Sequence, residues 1–234
     1  HRKKMPVRVI GITGSNGKTT TKEMMAQLLK GMGREVFATR GNLNSQIGLP
    51  LMLLDLDPHH THAVLEMGAS ATGDIARLAE MAAPHMAVLT GIGRAHLETF
   101  GTLEGVLAAK WELVDALGKD GIAFLNGDDP LLMSRKKTAH CSVVTFGKSP
   151  GADVRAENIR QDPQTVFDLV VGPFRREVRL PVPGLFNVSN ALAAAAVALW
   201  DRGLLPDVAA GLARFVPPPQ RMQLRRRPDG SLFV

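Results

Sequence analysis

At 234 residues, 45% hydrophobic and 21% charged, the chain is long enough to bury roughly 70% of its unfolded surface, so it needs no metal or disulfide staple. The single cysteine, Cys141, cannot close an internal bridge and fits a reducing cytosol, and no apolar run reaches the ~20 residues of a membrane span. A net charge of +6 suits phosphorylated small molecules, whereas scattered basic residues, 5% aromatic content and no tyrosine leave few stacking platforms for nucleic acid.

The basic opening His1-Arg2-Lys3-Lys4 runs into a short strand and a glycine loop, and does not read as a signal peptide. The spacing then predicts a strand over Val7–Thr13 and a helix over Thr19–Met32, with Met24, Leu28 and Met32 on one face. A strand follows at Arg34–Thr39, an apolar helical stretch at Ile47–Leu54, and a strand at His62–Glu66. Next come a helix at Gly73–Ala83, a strand at His85–Thr90, a long helix at Thr102–Leu117 and a strand at Gly121–Leu125. Strands alternating with helices predict an α/β fold, a mainly parallel sheet with helices on both faces. From Ser142 the texture changes: Ser142–Phe146, Asp153–Ile159, Val166–Val171 and Arg175–Leu180 read as a small antiparallel patch. Helices return at Asn187–Trp200 and Pro206–Phe215. The expected organisation is therefore a parallel core over about 5–141 and 187–216, with a β-rich patch over about 142–186. A terminal apolar run, Ser231–Val234, is what a fragment of a longer protein would show.

Gly11-Ile12-Thr13-Gly14-Ser15-Asn16-Gly17-Lys18-Thr19-Thr20 follows an apolar strand and opens a helix, the context a phosphate-binding P-loop requires. Backbone N–H groups and the helix N-terminus favour anionic phosphate there. Lys18 is placed to reach the β- and γ-phosphates, and the Thr19 hydroxyl to bind magnesium. The common spacing is altered, because Ile12 stands five positions before Gly17 where glycine is usual. Glu66 ends an apolar strand, where a carboxylate beside a P-loop serves as a second magnesium ligand. His96 sits in a loop after another strand; by itself it is either a ligand or a hydrogen-bonding residue. Lys110 lies on the face formed by Leu103, Leu107, Val114 and Leu117. It is either a lysine snorkelling from the edge of that stripe or a desolvated amine able to take up carbon dioxide as a carbamate. No Asn-Lys-x-Asp guanine motif is present, which argues against a GTP switch.

Gly14-Ser15-Asn16-Gly17-Lys18-Thr19-Thr20, Glu66-Met67-Gly68, Ala95-His96-Leu97-Glu98 and Ala109-Lys110-Trp111-Glu112 come in the order and spacing of the Mur ligases, which the chain resembles over nearly its whole length. The segments at Gly41–Pro50 and Ala95–Gly101 look most like those of the member that joins D-alanyl-D-alanine to UDP-N-acetylmuramoyl-tripeptide. Folylpolyglutamate synthases share the chemistry. The resemblance implies a central ATPase domain spanning 1–234, two magnesium sites with Thr19, Glu66, His96 and carbamylated Lys110 as ligands, and Asn44 near metal and phosphates. It also implies that Asn187 and Asn190 contact the nucleotide, although the family commonly has histidine where this chain has Phe186. Gln220-Arg221-Met222 matches a segment whose arginine contacts the γ-phosphate; on sequence alone Arg221 is one basic residue among many. The family's flanking UDP-sugar and C-terminal domains find no counterpart in the chain. A monomer working in the cytoplasm, with no nucleic-acid partner, is the expectation.

Overall fold

The computed structural model of the chain describes residues 1–161 and 164–218, and the backbone of 225–226 and 232–233. Strand β1 (Arg8–Thr13) is the centre from which the rest is positioned. It pairs in parallel with β3 (His62–Glu66) on one side and β4 (Met86–Leu89) on the other. Strand β2 (Val36–Ala38) lies outside β3, while β5 (Ile122–Asn126) and β6 (Ser142–Gly147) extend the sheet beyond β4. Beyond β6 come β7 (Val154–Gln161), β8 (Thr165–Val171) and β9 (Phe174–Leu180), giving nine strands in the order β2-β3-β1-β4-β5-β6-β7-β8-β9. A strand covered on both faces must be apolar on both, and Val9, Ile10 and Ile12 are fully buried.

The period of two along each strand divides the core into halves. Ile10, Ile12, Val64, Val88 and Phe124 face helices α1 (Lys18–Gly31), α7 (Leu185–Trp200) and α8 (Leu205–Ala213). Val9, Leu65, Leu89 and Leu125 face α3 (Asp74–Ala82) and α5 (Leu103–Asp115). The run of small residues at Ala193–Ala196 lets α7 lie close to the sheet and to α1, burying Ala191 to Ala198 without a break. On the opposite face, Gly11 leaves room for α5: a Cβ there would stand 2.9 Å from Leu113 Cδ1. Among the described residues no helix is long and apolar enough to cross a membrane.

Ser142–Phe146 departs from expectation. It pairs in parallel with both β5 and β7 and belongs to the main sheet. Thr145 and Phe146 are buried like residues of the central strands, and a short apolar run carries no mark of the direction of its neighbours. The antiparallel part is therefore β7–β9, which continues the sheet and includes a register shift near Asn158, at φ 53°. Three further short helices are α2 (Gly48–Leu54), α4 (Leu97–Phe100) and α6 (Pro130–Arg135); 3-10 turns at Arg2–Lys4 and Lys136–Thr138 and an antiparallel pair of Arg225–Arg226 with Leu232–Phe233 complete the described elements. Helix α6 was not among the expected elements, although its start carries a cap signal. Asp129 caps it by accepting from Leu131 N and Leu132 N, and Pro130 occupies the first turn.

Because β1 has later strands on both sides, chain connections leave it in opposite directions. A crevice opens there at the carboxyl ends of β1, β3 and β4, the place where open α/β sheets bind ligands.

Candidate active site

The loop after β1 is held by the loop after β4. Ser15 N donates to Gly91 O at 2.9 Å, the Ser15 hydroxyl donates to Gly93 O at 3.0 Å, and Gly93 N donates back to that hydroxyl at 2.8 Å. The Thr90 hydroxyl donates to the Asn16 carbonyl. The tip of β5 in turn steadies this brace, with Asn126 Nδ2 donating to Thr90 O at 2.9 Å and Ile92 N to Asp129 Oδ2 at 2.6 Å. Lys18 curls over its own loop, and its ammonium donates to Gly14 O at 2.8 Å.

Gly17, at φ 81°, turns the chain into α1, and a Cβ there would lie 2.4 Å from Asn190 Oδ1. Gly17→Ala is expected to cost about 1–3 kcal/mol from strained backbone alone. A melting curve should show it as a loss of roughly 2–4 °C per kcal/mol for a chain of this size. A variant melting with the parent would mean that α7 gives way without cost.

Glu66 is 3% exposed at the tip of β3. Asn44 Nδ2 donates to its Oε1 at 2.8 Å, whereas Oε2 is buried with no hydrogen-bond partner. A buried carboxylate oxygen without a donor is costly unless a cation completes it. Magnesium takes one or two protein oxygens and draws its remaining ligands from water and substrate phosphate. Glu66 Oε2 offers one such oxygen, and Thr19, half-buried at the start of α1, is a candidate for another. Among the described residues no group of three His, Cys, Asp or Glu side chains forms an all-protein cage.

Lys110 is 2% exposed, flanked on α5 by buried Val106, Leu107, Trp111 and Val114. Burial, reinforced by the charge of Lys18, pulls its pKa from 10.5 to about 8. Its helix is fixed in register because the Thr102 hydroxyl accepts from Gly105 N at 3.1 Å. His96 occupies the N-cap position of the preceding short helix, α4, in a left-handed conformation (φ 53°) and leaves its ring exposed against Phe100.

Gly14, Ser15, Lys18, Asn44, His96 and Lys110 line one cleft of about 520 Å³. Glu66 lies under it and joins it through Asn44. Asn187 and Asn190 are not in the cleft wall. They are buried in the seam between α7 and α1, with Asn187 Nδ2 bonded to Pro183 O at 2.6 Å and Asn190 Oδ1 accepting from the Thr21 hydroxyl at 3.3 Å. Asn16 is exposed on the P-loop turn, and Thr20 is half-buried in the first turn of α1. Arg221 lies outside the described residues. The brace residues Thr90, Asn126 and Asp129 were not singled out from sequence. The Asp129-Pro130 cap was the available signal for the last of them.

The fold and this cleft define a P-loop α/β domain built to hold a phosphate-bearing ligand at the switch point of its sheet. Comparison with known proteins makes the assignment narrower. The Mur ligase middle domain family matches residues 12–198, and the chain belongs to that family. A UDP-N-acetylmuramoyl-tripeptide–D-alanyl-D-alanine ligase of Bacillus subtilis (strain 168) is 37% identical over 228 residues, 97% of this chain and 49% of the relative. The enzyme of that name from Escherichia coli (strain K12) is 39% identical over 225 residues, 94% of this chain and 49% of the relative. Among solved structures, MurF from Acinetobacter baumannii superposes with a TM-score of 0.91 at 36% identity, covering 97% of this chain and 50% of that one. MurF ligase from Thermotoga maritima, in complex with ADP, gives 0.88 at 33% identity, covering 97% and 52%. The chain thus spans about half the length of the relatives it matches.

Proposed function

We propose that the chain is the ATP-binding domain of a ligase that joins D-alanyl-D-alanine to UDP-N-acetylmuramoyl-tripeptide in the cytoplasm, acting as a monomer and forming ADP and phosphate. The observation that carries the reading is the juxtaposition of the Lys18 loop, the half-satisfied Glu66 carboxylate and the buried Lys110 amine around one cleft. The names of the relatives, and ADP in one structural neighbour, agree with it. The remaining half of such an enzyme would hold the UDP-sugar and deliver the incoming dipeptide.

The chemistry has two steps. A substrate carboxylate oxygen attacks the γ-phosphorus of ATP, the bond to ADP breaks, and an acyl phosphate forms. The amine of D-alanyl-D-alanine then attacks the acyl carbon, loses a proton and expels phosphate. Phosphoryl transfer asks for positioning and charge neutralisation more than for covalent help. Magnesium, held by Thr19 and Glu66 and at a second site by His96 and a Lys110 carbamate, would screen the phosphate oxygens and orient the acceptor carboxylate. Lys18 releases its own loop's carbonyls to meet the β- and γ-phosphates. Asn44 keeps the Glu66 carboxylate turned toward the cleft. Asn187 and Asn190, buried in the seam behind the P-loop, would support the nucleotide-binding loop from behind, and Arg221 would meet the γ-phosphate.

Turnover of the full-length enzyme with a panel of incoming amino acids and dipeptides tests the reading; preference for a single amino acid over D-alanyl-D-alanine would assign a sister ligase instead. Arg221→Ala in that enzyme is expected to cut turnover strongly, with the melting temperature measured beside it to separate a lost contact from a lost fold. Unchanged turnover would remove Arg221 from the reaction.

A further inference from the structure

Lys22 lies one helical turn beyond Lys18 on α1, yet its side chain is only 1% exposed. Its ammonium donates to the carbonyl of Thr39 at the end of β2 and pairs with Glu23 Oε1 at 2.8 Å. Burying an ammonium is expensive, and an apolar side chain of similar length fills a helix–sheet seam at lower cost. The bond to Thr39 therefore needs an explanation beyond packing.

Thr39 supplies one. It is buried, and its hydroxyl accepts from the backbone N–H of Glu66 at 2.9 Å. Five residues further along, Asn44 donates to Glu66 Oε1, and its carbonyl accepts from Gly68 N at 2.9 Å. The segment from Thr39 to Asn44 thus holds Glu66 from the backbone side and the carboxylate side. Lys22 pins the start of that segment to the helix that carries the phosphate loop. Apart from this pin, cradle and carboxylate are joined by the β1–β3 pairing, the Thr13 hydroxyl donating to Met67 O at 3.0 Å, and non-directional packing of α1 on the sheet.

We propose that Lys22 is a positioning residue for the divalent cation: acting through Thr39, it keeps the Glu66 carboxylate in register with the P-loop. The inference rests on the reading that the cleft takes a nucleotide with magnesium. Lys22 touches neither.

The test titrates magnesium at fixed ADP, and ADP alone in EDTA, against the 234-residue chain, read by melting temperature and calorimetry. Lys22→Met and Thr39→Val are each expected to raise the apparent magnesium dissociation constant on the order of tenfold or more, the effect of removing an outer support of a metal ligand. ADP binding in EDTA should stay unchanged, Thr39→Ser should keep parental behaviour, and Lys22→Arg should restore part of the loss. A folded Lys22→Met with the parental magnesium constant overturns the proposal. Equal losses with and without magnesium also overturn it, because Lys22 is then only a clasp between helix and sheet. Should Lys22→Met fail to fold, Lys22→Gln, which removes the charge and shortens the reach to the Thr39 carbonyl, decides on the same criteria. A parent chain that binds ADP under neither condition removes the functional reading itself and this inference with it, whereas parental binding with unaffected variants removes the inference alone.

Discussion

Lys110→Ala in the full-length enzyme is expected to be nearly inactive, and short carboxylic acids such as formate or acetate are expected to restore part of its rate. The side chain is almost wholly buried, and its pKa falls to about 8 through burial and the charge of Lys18. At pH 7 roughly a tenth of such an amine is neutral, against far less for an exposed lysine. The neutral amine attacks carbon dioxide, forms an N–C bond and releases a proton, leaving an anionic carbamate. A cation would thereby be replaced by an anion, and repulsion from Lys18 would become attraction. The cleft would gain a carboxylate-like ligand at this position. Its removal should cost more than the ~10–100-fold typical of changes behind a metal ligand. Added carboxylates can rescue because they restore the lost charge in the same volume.

The pH dependence has a definite sign. The folded pKa is depressed, so between about 8 and 10.5 the unfolded chain holds a proton that the folded one has released. For the unmodified chain, the destabilisation from this group is full below about pH 8 and fades as pH rises toward 10.5. The carbamate follows the neutral amine and declines as pH falls below 8. A carbon-13 spectrum at neutral pH with bicarbonate that shows only an unmodified lysine would end this account.

The residues legible in the sequence were those whose chemistry is written locally. The P-loop is contiguous from Gly14 to Thr20, Glu66 ends its own apolar strand, and Lys110 interrupts an apolar stripe at helical spacing. Distant partnerships are not written locally. Asn44 meets Glu66 across 22 positions and Asn190 meets Thr21 across 169, and both asparagines entered only through the family resemblance; the burial of Lys22 against Thr39 leaves no local signature. The direction of β6 was hidden for the same reason. Its burial is local, but its parallel pairing depends on a crossover from β5 that composition does not encode.

The chain by itself is expected to bind ATP and magnesium and to make no ligated product. The cradle is assembled from its own elements, since the P-loop, its brace at Thr90–Gly93, Glu66 and Lys110 belong to one sheet and the helices packed on it. Nothing in that assembly requires a second domain, so the site should exist before any substrate arrives. At ATP 100 times above its dissociation constant, binding should stabilise the fold by about 2.7 kcal/mol. For a chain of this size that is a rise of roughly 5–10 °C in Tm. Ligation is a different matter, because a carboxylate and an amine must also be held in line with the γ-phosphate and then with the acyl carbon. Orientation of that kind contributes ~7–11 kcal/mol to a reaction between bound partners. The relatives are about twice as long as this chain, and on the proposed reading the surfaces that would orient the acceptor peptide and the dipeptide lie in the other half. Losing that contribution slows the reaction by at least ~10⁵-fold, below the reach of a product assay. A melting curve with and without ATP and magnesium, run beside a ligation assay, separates the outcomes: no thermal shift would mean the cradle needs its missing neighbours, and detectable product would place the substrate-orienting groups within these 234 residues.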